Sequence, residues 1–145
     1  MRIPMRMDYG VRALVELARH YGERPVQTSE IASSQGIPHA YLDQLLSNLH
    51  KLGYIRSRRG PQGGHVLAKN PMDIDLGSVM ASLEGNVPLL ECFDEPNECV
   101  LSSRCAQIDV WRAVDQAVQS LLRATSIQDL ATRQYQVPTP GMYQI

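Results

Sequence analysis

The triplet Gly36-Ile37-Pro38 separates two short segments whose apolar residues recur at helical spacing, and that arrangement leaves few folds open. Thr28 to Gln35 opens with Thr and Ser at capping positions, carries Glu30 in its first turn and stops at Gly36. From His39 to about Leu52, the residues Leu42, Leu45, Leu46, Leu49 and Leu52 form one stripe. Glycine enters the left-handed region that ends a helix, and proline suits the start of the next. Two helices joined by a tight turn are therefore expected. A preceding helix is expected from Tyr9 to about Tyr21, with Val11, Leu14, Leu17, Ala18 and Tyr21 on one face and Gly22 as its stop.

The face of the third segment opposite its leucines holds His39, Ala40, Asp43, Gln44, Ser47, Asn48 and Lys51. It is polar with few charges, and short amides and hydroxyls suit base edges in a major groove. An ordinary solvated helix face would look similar. The residues beyond Leu52 separate the two readings. Gly53 to Ser57 and Val66 to Ala68 have strand character, and the link between them contains Arg58, Arg59, Gly60, Pro61, Gln62, Gly63 and Gly64. A hairpin tip with paired arginines and several glycines can approach phosphate closely or lay an arginine in a minor groove. Placed directly after a helix-turn-helix, it makes a winged-helix module. A nucleotide-binding glycine loop is disfavoured, because no Lys-Ser/Thr ending and no helix come after it.

Net charge hides an asymmetry. The chain is −1 overall, yet residues 1–70 carry ten Lys and Arg against five Asp and Glu, while residues 71–145 carry four against ten. The front half can bind a polyanion and the back half cannot, since phosphate contact depends on local cations. With 145 residues, 43% of them hydrophobic and 20% charged, the chain is long enough for one domain with a real core. One Trp and one Phe among many aliphatic residues favour packed helices over a β-sandwich. The apolar runs are far shorter than the roughly 20 residues needed to span a bilayer, and the first ten residues lack an apolar signal core, so a cytoplasmic protein without membrane contact is expected.

In the back half, a helix is expected from Asp75 to Glu84 and a longer one from Arg104 or Ala106 to Thr125. The latter has a broad stripe through Ile108, Trp111, Val114, Val118, Leu121 and Leu122, more apolar surface than a small domain needs, and reads as the seam of a homodimer. All three cysteines, Cys92, Cys99 and Cys105, lie in the segment before it. An odd number of thiols in a reducing compartment argues against a disulfide framework. The close CxxC pairs common in zinc sites are missing, and the open spacing suits a loop around something larger than one ion. An iron–sulfur cluster, a metal-free thiol redox switch and a zinc-stabilised interaction module are the readings left. An enzyme is not expected: no nucleophile and base stand at workable spacing, and His20, His39, His50 and His65 scatter through the front half. Gln134 to Ile145, with Pro138, Pro140 and Gly141, lacks a periodic pattern and reads as a flexible C-terminal arm.

Over residues 1 to 133 the chain resembles the Rrf2 family of winged-helix transcriptional regulators, in its IscR/NsrR/RirA-like cluster-binding branch. The residues that carry the resemblance are Met1-Arg2-Ile3, Asp8-Tyr9-Gly10-Val11-Arg12-Ala13-Leu14, Ile37 to Leu49 including Tyr41-Leu42-Asp43-Gln44-Leu45-Leu46, Arg59-Gly60-Pro61-Gln62-Gly63-Gly64-His65, and the three-cysteine loop. The resemblance implies a mainly α fold with a small β-hairpin: a winged helix-turn-helix over 1–70, a cluster-binding loop and dimerisation helices over 71–133, and an arm over 134–145. It implies a homodimer that binds a palindromic double-stranded DNA operator, expected to repress, and that senses cluster status, redox, nitric oxide or iron. Cys92, Cys99 and Cys105 match the positions that hold the cluster, either 4Fe-4S or 2Fe-2S. The IscR-like branch adds a His two residues after the third cysteine, where this chain has Gln107. The NsrR-like branch takes a carboxylate from the partner's first helix, and Asp8 stands at that place, where a helix-capping role would serve equally. His39, Tyr41, Asp43, Gln44, Ser47, Asn48, Lys51, Arg58, Arg59, Gly60 and Gln62 are the candidate DNA contacts.

Overall fold

The computed structural model describes residues 2–86 and 88–136. Helix α1 (Met5–Arg19) begins ahead of the expected Tyr9, because Pro4 holds extended angles (φ −63°, ψ 148°) and its carbonyl accepts the Asp8 amide at 3.1 Å. In the added turn only Met7 is buried, so apolar spacing carries no signal for it. Helices α2 (Thr28–Gln35) and α3 (His39–Lys51) flank the expected turn. Gly36 is left-handed there (φ 64°, ψ 39°), and Ile37 N–H donates to the Ala32 carbonyl at 3.0 Å.

Strands β1 (Ile55–Arg58) and β2 (Gly64–Leu67) pair antiparallel, with Ile55 opposite Leu67 and Arg58 opposite Gly64. Both lie toward the tip from the expected spans, because the ladder is set by backbone pairing across the hairpin and the expected Gly53 and Tyr54 belong to the turn leaving α3. Helix α4 (Leu76–Glu84) is capped by Asp75, which accepts the Ser78 amide at 2.8 Å. Two short 3-10 turns, Glu91–Phe93 and Pro96–Glu98, lead toward α5 (Ile108–Arg123). This helix starts later than the expected Arg104 or Ala106, after a run of turns through Cys105.

Sequence patterning assigns no element of its own to residues 126–133 and reads Gln134 onward as a flexible arm. Instead α6 (Ile127–Gln136) forms, and Gln134, Tyr135 and Gln136 belong to it; residues 137–145 lie outside the described residues. Its start is a reciprocal cap: the Ser126 amide donates to Asp129 at 2.8 Å, and the Asp129 amide donates to the Ser126 hydroxyl at 3.1 Å. The α6 and α4 starts are tied together by backbone bonds from Ile127 N to Ile74 O (2.8 Å) and from Leu76 N to Thr125 O (3.0 Å).

One apolar core spans both halves of the chain. Leu14 and Leu17 of α1, Ile31 of α2, Leu42 and Leu49 of α3, Ile55 of the hairpin, Val79 of α4 and Ile127 of α6 are all fully buried in it. Inside it sits one carboxylate. Glu16 is 1% exposed, and its Oε2 accepts from Ser34 Oγ (2.6 Å), Gln35 Nε2 (2.8 Å) and Tyr135 Oη (2.6 Å), so α1, α2 and α6 meet at a single oxygen. Burial alone would raise this carboxyl. The bonds from Ser34, Tyr135 and Gln35, with the Arg19 charge nearby, instead hold it below the usual carboxylate range.

A group whose folded-state pKa is depressed contributes stability above its unfolded value and loses it as pH falls through the folded value. Glu16→Gln is therefore expected to cost about 1–3 kcal/mol at neutral pH, since three donors lose a charged acceptor. In denaturant unfolding at a series of pH values, the gap between the variant and the parent should close below the usual carboxylate range; a gap that is constant with pH would contradict the charged hub.

Candidate nucleic-acid interface and thiol loop

Helix α3 is split lengthwise by burial. Leu42, Leu45, Leu46 and Leu49 face the core, which leaves His39, Tyr41, Asp43, Gln44, Ser47 and Lys51 exposed and Asn48 half-buried. Tyr41, Gln44, Ser47, Asn48 and Lys51 line a groove of about 520 Å³ together with Arg6 of α1. Arg6 is aimed there by Glu84 of α4, which accepts from Nε at 3.0 Å and Nη2 at 3.3 Å. On the other flank Asp43, Ser47 and Lys51 share a cavity of about 330 Å³ with Thr28, His50, Ser57 and His65. His39 Nδ1 lies 3.4 Å from Asp43 Oδ2. The structure thus gathers most of the α3 residues singled out by sequence onto two adjoining surfaces.

Arg58, Arg59, Gly60 and Gln62 line neither surface and form the exposed tip of the wing. That tip is closed by a bond from Gly63 N to Gly60 O at 2.9 Å. A Cβ on Gly63 would strike the carbonyl of Arg58 and approach that of Gly60 to 2.9 Å, so the turn needs glycine there. At the wing's root, His65 and Val26 exchange backbone bonds of 2.8 and 2.9 Å. The His65 ring adds contacts at Nε2 to Thr28 Oγ1 (3.0 Å) and at Nδ1 to Ser57 Oγ (3.3 Å). Burial pushes this imidazole below its usual value, which favours the neutral ring. It ties the hairpin to the first turn of α2.

Arg6, Thr28 and His65 are not among the contact residues expected from sequence. Arg6 precedes the periodic part of α1 and so has no face assigned by it, and His65 stands in the sequence as one of four scattered histidines. No sequence spacing links either to α3; the packing of α1 and the wing root against it does.

The thiols occupy the loop between α4 and α5. Cys92 lies in the first 3-10 turn, Cys99 follows the second and Cys105 precedes α5; all three are free and half-buried. Cys92 and Cys99 open into one cavity of about 610 Å³, lined also by Pro88, Glu91, Asp94, Glu95 and Glu98. Cys105 is not part of that lining. The cavity therefore has four carboxylates at its wall and no Lys, Arg or His. Both oxygens of Asp8 accept from Arg12, at 3.0 and 2.9 Å, and Arg12 also lies over the Tyr9 ring, which meets the Tyr41 ring edge-on at 5.5 Å.

Helix α5 packs on α4 but has no buried residue along its length. Leu121 is 68% exposed and Val110 61%, with Trp111 and Val114 also open to solvent. No helix of the described residues is long and apolar enough to cross a membrane.

The sequence and fold recur in known proteins. Residues 3–133 match the family described as "Rrf2: Iron-dependent Transcriptional regulator". The chain is 32% identical to the HTH-type transcriptional regulator IscR of Serratia proteamaculans, over 92% of this chain and 81% of that one. Among solved structures it resembles CymR, described as the global cysteine regulator of B. subtilis, with a TM-score of 0.80, 31% identity and coverage of 92% and 98% of the two chains. It also resembles T. potens IscR, with a TM-score of 0.73, 31% identity and coverage of 99% and 96%. The winged helix-turn-helix, its hairpin and the match across nearly the whole described chain lead to one conclusion: this protein belongs to the Rrf2 family of transcriptional regulators.

Proposed function

We propose that this chain is a homodimeric, operator-binding regulator whose DNA affinity is set by an iron–sulfur cluster held at Cys92, Cys99 and Cys105. The observation that carries the reading is the acid-walled cavity shared by two of these thiols. A thiol that reacts as a bare redox switch works in an electropositive setting that stabilises thiolate. Here four carboxylates and no cation line the wall, a setting that disfavours the bare thiolate such a switch needs. The donor set fits: three half-buried free thiols on a loop outside the core can close on a cofactor without repacking it. Bound there, the cluster would supply a centre that responds to oxidants, nitric oxide or iron supply.

Asp8 of the partner chain is the proposed fourth ligand. In this role it must leave Arg12, an exposed pair that costs little to open. Arg12 also rests on Tyr9, which touches Tyr41 at the DNA-facing groove, so releasing it would disturb the α3 surface directly. The likeness to CymR, a cysteine regulator, keeps a second reading in view, a metal-free thiol switch at the same cysteines. Protein purified without air should contain iron and acid-labile sulfide. Serine at any of the three cysteines should remove both, and Asp8→Ala should alter the visible spectrum. Colourless parent protein with reversible thiol oxidation would transfer the role to the second reading.

On the DNA side, Tyr41, Gln44, Ser47 and Asn48 are proposed to meet base edges or backbone. Arg6, Lys51, Arg58 and Arg59 would meet phosphate or, from the wing, the minor groove, with Gly60 and Gln62 shaping the wing tip. His39 and Asp43 would adjust sequence preference, since an acid accepts from a cytosine amine and repels phosphate. Arg59→Ala should weaken binding to all duplexes and lower the salt slope by about one phosphate's worth. Gln44→Ala should instead relax preference at one base pair, at a cost of about 1–3 kcal/mol for the matched site. Fluorescence anisotropy across a salt series separates the two, and an Arg59→Ala variant with the parent's slope would remove the wing from the contact.

The uncovered face of α5 is proposed as the seam, because an amphipathic helix with no buried residue lacks its partner surface. Leu121→Asp combined with Val114→Asp should give monomers in analytical ultracentrifugation while the α1 core keeps its fold by circular dichroism. Intact dimers in that double variant would place the seam elsewhere.

A further inference from the structure

A second cluster of ligand atoms lies at the far end of α1, away from the thiol loop. Glu16 of α1, His20 at the cap just beyond its end and Glu30 of α2 bring one ligand atom each to within 4.8 Å of one another. His20 Nε2 is 3.6 Å from Glu16 Oε1 and 3.9 Å from Glu30 Oε1, too far for hydrogen bonds. A transition ion with ligand bonds of about 2.0–2.2 Å holds neighbouring donors about 3.4 Å apart at tetrahedral angles and about 3.0 Å apart at octahedral ones, so a contraction of under about 1 Å would seat either kind of ion.

The donors are prepared for such an ion. Glu16 is 1% exposed, yet only its Oε2 is hydrogen-bonded, by Ser34, Gln35 and Tyr135. Those three bonds fix the carboxylate plane and leave Oε1, which takes no hydrogen bond among the described residues, with His20 Nε2 at 3.6 Å and Arg19 Nη1 at 3.9 Å. The far ring nitrogen of His20, Nδ1, stands 3.7 Å from Glu23 Oε2, beyond hydrogen-bond reach but close enough that a shift of under about 1 Å would make this carboxylate the orienting partner of a metal-binding imidazole. The present occupant is a side chain: Arg24 donates to both oxygens of Glu30, at 2.5 Å to Oε1 and 3.0 Å to Oε2, and lies 3.5 Å from His20 Nε2.

We propose that Glu16, His20 and Glu30 form a site for a divalent first-row transition ion, with Glu23 orienting the imidazole and Arg24 as the internal cation that the ion displaces. One imidazole with two carboxylates suits Mn²⁺, Fe²⁺ or Zn²⁺ better than Mg²⁺ or Ca²⁺. The exchange is inexpensive, because the Arg24–Glu30 pair is exposed. Bound here, the ion clasps the end of α1 to the first turn of α2, the turn that also anchors the wing through Thr28 and His65. The site contains no thiol and stands whether or not the cluster reading does.

Mn²⁺ is the probe, because it binds oxygen and nitrogen donors and ignores thiolates; its free ion gives an electron paramagnetic resonance signal that binding removes. Metal-free full-length protein should bind one equivalent. Glu30→Gln and His20→Gln should each weaken binding by more than about tenfold, as loss of metal-site partners does. Replacing all three cysteines by serine should change nothing, and Arg24→Ala should tighten binding, which a merely structural ion pair would not do. Binding that survives Glu30→Gln, binding lost with the cysteines, binding weakened by Arg24→Ala, or no binding by either the parent or Arg24→Ala at millimolar Mn²⁺ would each overturn the site.

Discussion

The structure is organised around α1, and α1 is organised around one buried carboxylate. Helices α2, α3, α4 and α6 and strand β2 all pack on α1. Apolar contact supplies most of the drive, but such contact tolerates sliding. Glu16 does not: its three donors come from α2 and α6 and have fixed geometry, so the three elements have one relative position in which all are satisfied. Arg12 adds a bond from its Nη1 to the Gln35 carbonyl, at the end of α2. The recognition surface inherits that rigidity, because α3 sits on α1 and the wing is pinned to the start of α2.

The same arrangement explains how the back half can speak to the front. Helix α6 follows α5 after a short turn, and its Tyr135 reaches the Glu16 hub. At the opposite end of α1, Asp8, Arg12, Tyr9 and Tyr41 form a continuous run of contacts into the groove beside α3. On the proposed reading, a change in how two chains meet along α5, or in what holds Asp8, has two short physical routes to α3. On that same proposal an operator would fix the distance between two recognition helices, so a small rotation at the seam would be felt at both half-sites together.

Much of this is legible in the sequence, and the reasons are specific. The α2–turn–α3 unit is encoded by Gly36, Pro38 and the leucine stripe, all local signals, and the structure follows them closely. The wing is legible because glycines and arginines cluster where only a hairpin tip fits. Helix α6 is not, although Ser126 and Asp129 form its cap, because its apolar face is short and its buried residues, Ile127 and Ala131, are few. The start of α1 escapes periodicity because Pro4 sets it. Least visible are long-range partners: Arg6 with Glu84, His65 with Thr28, and Glu16 with Tyr135 join residues that no pattern in a single chain connects. The three cysteines stand out at once. That Cys92 and Cys99 share an acid-walled cavity without Cys105 does not, since it depends on how two 3-10 turns fold back.

The central claim is that the state of the thiol loop sets the grip on DNA. It is tested most directly by measuring operator affinity at one fixed salt concentration for the same preparation before and after its iron is stripped under anaerobic conditions. The account predicts that the two forms differ in affinity for the operator while binding unrelated duplex equally weakly. Equal operator affinity of the loaded and stripped forms would contradict it.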